Sequence, residues 1–431
     1  MSAADTAWML LSTALVLLMT PALAFFYGGL VREKNALNTM MMSFGALGFA
    51  GVSWALLGYS LAFAPGGGAS GFAGSLRHAL LAGVGLGARG TIPHLLFMAY
   101  QGTFAIITVA LISGAVVERM RFGPYLSFLV LWSLVVYAPV AHWVWGEGGW
   151  LARLGALDFA GGTVVHVNAG AAALVAALVV GRRRDHARVA VLPHNVPFTL
   201  LGAGLLWFGW FGFNGGSALA SSTSAALAFV NTLLAPCATL VVWSLLDLWR
   251  GGRATAVGGA TGIVVGLVAI TPAAGLVSPQ SALLIGAAAA VPSYLAILAR
   301  ARTRLDDSLD VVSAHGLGGL VGALATGVLA QKAWGAPADG LLFGNPRQLA
   351  VQALAVAAVA AFSGAATFGL LKLVSLFAPL AANAREQGLG LDVSQHGEEA
   401  YGEGDGAILI LPAVLPAAAA AVAAVPVAKE V

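Results

Sequence analysis

Residues 158–181 read Asp158-Phe-Ala-Gly-Gly-Thr-Val-Val-His166-Val-Asn168-Ala-Gly-Ala-Ala-Ala-Leu-Val-Ala-Ala-Leu-Val-Val-Gly181, and Arg182-Arg183-Arg184 follow. Between Asp158 and Arg182 the one ionisable side chain is His166. About 20 mostly apolar residues suffice for a helix to cross a bilayer, so 160–181 reads as a spanning helix. Working outward, ten more stretches have this character: 7–30, 38–63, 95–117, 125–145, 196–214, 225–248, 255–273, 281–299, 312–331 and 348–378. They are long unbroken runs, without the short alternation of membrane β-strands. The expected fold is an all-α polytopic membrane protein of eleven spans.

The composition agrees. Of 431 residues 59% are hydrophobic and 9% are charged, against about 25% charged in a soluble globular domain. The 21 basic and 18 acidic residues leave a net charge of +3, which supplies no basic face for a nucleic acid. A cytosolic enzyme and a disordered chain are likewise disfavoured. The 56 glycines suit membrane helices, where Gly is commoner than in soluble ones. One cysteine, Cys237, excludes an intramolecular disulfide framework and a cysteine-based metal centre.

Loop charge orients the chain. The first stretch has Asp5 before it and Arg32 and Lys34 after it, the reverse of a signal peptide, so it is expected to be retained with its N-terminus outside. Alternate loops then carry 13 basic residues on one side, from Arg32 to Arg304, and 5 on the other: Arg77, Arg89, Arg153, Lys332 and Arg347. The positive-inside rule places the first set in the cytoplasm, together with residues 380–431.

An ionisable residue at membrane depth marks a functional candidate. His166 lies in the fifth span and His315 in the tenth, while His142 sits near the outer end of the fourth and Glu118 and Asp247 at cytoplasmic ends. Each of the first two follows an acid that can cap free backbone N–H groups. His166 lies about 12 Å along the helix from Asp158 and His315 about 7.5 Å from Asp310, at 1.5 Å per residue. Spans 1–5 (7–181) and 6–10 (196–331) each hold an odd number of helices, so the halves must be inverted, an arrangement that places a site near the midplane. The two histidines could then meet on the pseudo-two-fold axis. Three alternatives stand beside this: imidazoles satisfying backbone carbonyls, a metal site with a thin ligand shell, and haem ligation.

Aromatic residues cluster toward the outer ends: Tyr100-Gln-Gly-Thr-Phe104, His142-Trp-Val-Trp145 and Trp207-Phe-Gly-Trp210-Phe-Gly-Phe213-Asn-Gly-Gly-Ser217. They fit an interfacial belt or a cation site built from π faces. Phe104 and Phe213 lack the polar tip a belt uses, and Ser217 adds a hydroxyl acceptor, which favours the cation site. Gly258, Gly262 and Gly266, and Gly318 and Gly322, have the spacing of close helix contacts. Gly85-x-Gly87-x-x-Gly90 lacks the strand and the acid of a dinucleotide motif.

These residues resemble the ammonium transporter family (Amt/Mep/Rh), on its bacterial Amt branch. The likeness is carried by Ala24-Phe-Phe-Tyr-Gly-Gly-Leu-Val-Arg-Glu-Lys-Asn35, Gly114-Ala-Val-Val-Glu-Arg-Met-Arg-Phe122, Asp158 to His166, Gly209-Trp-Phe-Gly-Phe-Asn214 and Leu391-Asp-Val-Ser-Gln-His-Gly-Glu-Glu-Ala-Tyr401, and spans about residues 5–405. It implies a transmembrane domain over 1–379, with two inverted five-helix halves and an eleventh helix, assembled as a homotrimer with one pore per subunit. It implies an outer ammonium site at Trp145, Phe104 and Ser217 near the Ala160 carbonyl, a gate of Phe104 and Phe213, and a pore or proton relay of His166 and His315, with Trp210 as pore wall beside His315. Asp158 resembles the family's buried acid, and Asp310 is expected to support the tenth helix. The implied activity is recruitment and deprotonation of ammonium and conduction of ammonia, with methylammonium as analogue, in nitrogen metabolism at a bacterial plasma membrane. No cofactor and no enzymatic activity are expected.

One extra residue lies between Trp145 and Asp158 relative to the family pattern, which touches the outer loop. Residues 407–428 form an apolar Ala-rich tail with Pro412, Pro416 and Pro426; such prolines suit a surface tail better than a twelfth span. The 391–401 stretch implies a PII signalling protein as cytoplasmic partner. Two other readings remain: an ammonium sensor signalling through its tail, and a histidine-ligated membrane redox protein.

Overall fold

A computed structural model describes residues 1–66, 71–186, 188–189 and 191–402, so the 407–428 tail lies outside the described residues. The chain is mostly helical, and among the described residues ten helices are long and apolar enough to cross a membrane. In chain order we label the long helices α1 (Ala3–Leu30), α2 (Ala36–Ser53, running on to Phe63), α3 (His94–Ser113) and α4 (Phe122–Trp132, running on to Trp145). Then come α5 (Gly162–Val167 and Asn168–Val180), α6 (Val196–Gly216), α7 (Thr223–Gly251) and α8 (Ala256–Ile270). The last three are α9 (Pro279–Arg300), α10 (Val312–Leu317 and Gly318–Leu329) and α11 (Pro346–Ser375). Each lies on one of the apolar stretches read from the sequence. The short member is α8, of 15 residues, because its stretch finishes in turns over 271–276.

Helix starts are set by local acceptors. Ser2, Asn195, Ser222, Thr255 and Ser278 each accept a backbone N–H from the first turn that follows, satisfying donors that have no partner within the helix. The Gly85–Gly90 segment forms part of a small hairpin, Ala88–Arg89 paired with Ile92–Pro93, and not a phosphate loop.

Small residues bring the helices together. Most glycines of α6 face α1: a Cβ on Gly212 would lie 2.6 Å from Leu15 Cβ. At the crossing of α5 and α10, a Cβ on Gly170 would fall against the Gly316 backbone. Gly262 and Gly266 meet Trp243 and Thr239 of α7, and Gly322 meets the Ala269 carbonyl, as their small-residue spacing leads one to expect. The final helix, α11, packs on α5 and α10.

Among the described residues four helical segments widen into π turns: Trp54–Gly58 in α2, Ser133–Tyr137 in α4, Gly162–Val167 in α5 and Val312–Leu317 in α10. The last two contain His166 and His315, which are 149 positions apart. The same interval separates Asp158 from Asp307, the acid that caps each π turn, and Gly161 (φ +116°) from Asp310 (φ +59°), which breaks the backbone just before it. The capping role expected of Asp310 therefore belongs to Asp307, whose carboxylate accepts Val311 N–H at 3.1 Å and Val312 N–H at 2.8 Å. Asp310 sits in left-handed backbone and bonds Arg300 Nε at 2.5 Å instead.

Candidate functional site

One recess begins with Asp158. Its two oxygens accept four backbone N–H groups, from Gly161, Gly162, Thr163 and Val164, at 2.7–2.9 Å. This carboxylate fixes the start of the His166 helix, where free N–H groups and the helix dipole favour an anion. The Asp158 carbonyl accepts the Trp145 indole N–H at 2.8 Å. Trp145, Phe104 and Ser217 then line one recess of about 190 Å³, together with Phe63, Phe97, Gln101 and Phe159. The last four were missed in the sequence, where nothing separates them from ordinary core aromatics and amides. Ala160, in the same loop, is fully buried.

The Ser217 hydroxyl donates to the Phe213 carbonyl at 2.8 Å. Tyr100, buried, donates to the Phe213 carbonyl at 2.9 Å and lies 3.3 Å from Ser217 Oγ. These bonds hold the final turns of α6 against α3. Phe104 meets Trp145 edge to face at 6.0 Å between ring centroids and stacks on Phe213 at 4.1 Å. Two phenyl rings therefore close the floor of the recess.

Behind them is a cavity of about 10 Å³ lined by Leu23, Ile107, Leu206, Trp210, His166 and His315, among others. That is room for about one water-sized molecule. His166 Nδ1 and His315 Nδ1 are 3.3 Å apart, with rings 22° from parallel. Between neutral imidazoles one Nδ1 donates and the other accepts, so the two outward Nε2 atoms have opposite character, one acceptor and one donor. His166 Nε2 is buried without a protein partner. Trp210 is stacked on His166 at 5.4 Å and donates to Thr271 Oγ1 at 2.8 Å. It stands against His166 and shares with His315 the lining of the small cavity, and Phe213, one turn further along α6, lies 6.1 Å from His166.

Beyond His315 a wider vestibule of about 480 Å³ opens among Tyr27, Arg183, Arg300, Asp310 and Ser308. The loop charges around it form a closed network. Glu118 accepts from Arg32 at 3.0 Å and Arg183 at 2.6 Å, and Arg183 also pairs with Asp306 at 2.7 Å. Burial alone would raise the Glu118 carboxyl, but the bonded Arg32 and the nearby Arg183 charge hold it below its usual range. Burial also opposes ionisation of Asp306, yet Arg183 brings it down to about 2. Residues 380–401 dock on this face. Asp392 accepts Asn38 N–H at 2.7 Å and Leu37 N–H at 3.0 Å, and Glu386 pairs with Arg121 at 2.8 Å. His142, by contrast, lies away from the cavity and bonds the Ala62 carbonyl at 2.9 Å.

A family model described as Ammonium Transporter Family matches residues 7–401. The chain is 48% identical over 406 residues to an ammonium transporter of Bacillus subtilis, covering 93% of this chain and 99% of that protein. It is 46% identical over 401 residues to ammonium transporter Amt1 of Archaeoglobus fulgidus, covering 93% and 100%. Among solved structures, Mep2 of Saccharomyces cerevisiae superimposes with a TM-score of 0.85 at 36% identity, over 90% of this chain and 89% of that one.

Proposed function

Because the chain belongs to the ammonium transporter family, we propose that it captures NH4+ at Trp145, Phe104 and Ser217, transfers its proton to the His166–His315 relay and passes the resulting NH3 between the two imidazoles. The observation that carries this route is the directly bonded imidazole pair in a small, otherwise apolar cavity behind two stacked phenyl rings. In the recess, π faces favour a cation, and the Ser217 oxygen and the Ala160 carbonyl supply acceptors for its N–H groups. Past Phe104 and Phe213 an ion would lose hydration without a counter-charge, which is costly. Neutral ammonia, with one lone pair and three N–H groups, matches the acceptor and donor ends of the imidazole pair. Trp210 then serves as wall against His166, and Asp158 and Asp307 hold the two pore helices by their heads.

The membrane arrangement belongs to the same reading. Residues 1–379 form a transmembrane domain of eleven spans, N-terminus outside, with inverted halves at 7–181 and 196–331 and a final span at 348–378. The 149-residue correspondence between caps and histidines supports the halves, and the loop arginines support the orientation. Residues 380–431 lie in the cytoplasm, where a PII protein would meet the docked tail. The assembly is a homotrimer in a bacterial plasma membrane. The transporter names of the 46–48% identical relatives favour transport over sensing.

The test is methylammonium uptake by cells lacking their own ammonium transporters. Wild-type protein should restore concentrative or saturable uptake, and His166→Ala should bring it down at least tenfold at equal membrane abundance. Well-inserted wild type without uptake overturns the transport route, and an undiminished His166→Ala overturns the role of the pair.

A further inference from the structure

The outer loop is held by a side chain from a helix outside both halves. Gln352 of α11 is 1% exposed. Its Oε1 accepts the Leu157 N–H at 2.7 Å, and its Nε2 donates to the Leu157 carbonyl at 2.7 Å and to the Ala323 carbonyl of α10 at 3.2 Å. One amide therefore reads both backbone groups of Leu157, as a neighbouring strand would in an antiparallel ladder. Gln348, one turn earlier, donates to the Gly155 carbonyl at 2.9 Å and to Gln352 Oε1 at 3.3 Å. On the other side of the loop, Phe159 N–H donates to the Pro272 carbonyl at 3.1 Å. The segment between these anchors is Leu157-Asp158-Phe159.

What hangs on that segment makes the grip functional. The Asp158 carbonyl holds the Trp145 indole, the Asp158 carboxylate holds the head of the His166 helix, and Phe159 lines the recess. A displacement of Leu157 is passed to all three. Buried glutamines in an Ala/Val-rich helix are costly at membrane depth unless every polar atom is bonded, and Gln352 uses both ends of its amide. Further along α11, Ser363 donates to the Asn168 carbonyl at 2.8 Å, and Thr367 accepts the Trp132 indole N–H at 2.9 Å.

We propose that Gln352 is a positioning residue of the outer ammonium site: through Leu157 it sets where Asp158 presents Trp145 and the recess wall. This rests on the outer-site reading given above. The residue touches no substrate, so its removal should weaken capture more than throughput.

The experiment measures methylammonium uptake against concentration for full-length protein in transporter-deficient cells, with thermal unfolding of each purified variant in detergent. Gln352→Leu removes all four bonds at similar volume. The half-saturating concentration should rise about tenfold while maximal rate per inserted protein stays within about threefold. Gln352→Glu keeps the acceptor for Leu157 N–H but loses the donors, and should give an intermediate rise, which keeps the idea testable if the leucine variant fails to insert. Thr367→Val removes a buried bond of α11 remote from the loop. It should lower the melting temperature without moving half-saturation. An unmoved half-saturation in both Gln352 variants, or an equal rise in Thr367→Val, overturns the proposal. Trp145→Leu is the control on the underlying reading: if it leaves half-saturation unchanged in an active protein, the outer-site assignment fails instead.

Discussion

At Asp158 two carboxylate oxygens accept four backbone N–H groups, whereas at Asp307 they accept two. A hydrogen bond to a charged group contributes about 1.5–3 kcal/mol, and an asparagine can accept at only one of its two positions. Asp158→Asn should therefore destabilise the protein by several kcal/mol and Asp307→Asn by roughly half as much. Thermal unfolding of the two variants in the same detergent checks the ranking, and equal losses would show that the caps do not act through their bond number. Asp158 was legible in the sequence because it is the one acid before an apolar run. Its counterpart was not, because Asp306, Asp307 and Asp310 crowd one loop. Proximity to His315 selects Asp310, while the eight-residue spacing seen from Asp158 to His166 selects Asp307. Backbone conformation decides between them: Asp310 at φ +59° faces Arg300, and Asp306 is spent on Arg183.

The spans were legible because bilayer thickness imposes a length of apolar chain that composition alone displays. Their internal departures were not. A π turn needs no special residue, and those in α5 and α10 follow from a carboxylate-capped start, a left-handed residue before it and the crossing of the two helices at Gly170 and Gly316. Such turns gather at functional positions, and here each presents a histidine toward the other. The crossing tolerates no side chain. Gly170→Val should cost at least the ~1–3 kcal/mol typical of overpacking, and it should separate the imidazoles, bringing uptake close to background. Gly369→Ala in α11 is the contrast, since its Cβ would meet nothing within 4 Å. There the gain in helix propensity, about 0.5–1 kcal/mol, should leave stability equal or raised and uptake unchanged. Melting temperatures and uptake of the two variants, compared at equal expression, decide whether close approach governs the pore.

Across the molecule, the charges that are scarce in the spans are concentrated where loops and tail meet. The loop before α2, the loops that follow α3 and α5 and the segment leading into α10 share Glu118, Arg183 and Asp306, and the tail closes over them through Asp392 at the start of α2. Asp392 titrates upward to about 6, because burial outweighs the stabilising N–H bonds from Asn38 and Leu37. An acid whose folded pKa is raised binds more protons folded than unfolded between its ordinary value of 3.8 and about 6. Stability then falls as pH rises across that interval. Its contribution is full below pH about 4, is lost as pH passes through about 6 and is flat above. Docking of residues 380–401 should accordingly tighten on mild acidification. Protection of the 384–396 amides, followed by hydrogen exchange corrected for intrinsic rate, should increase from pH 7 to pH 5 in the wild type. In Asp392→Asn that increase should vanish, because the asparagine has no proton to gain. A pH dependence that persists in Asp392→Asn would remove Asp392 as the group that couples pH to the grip of the tail.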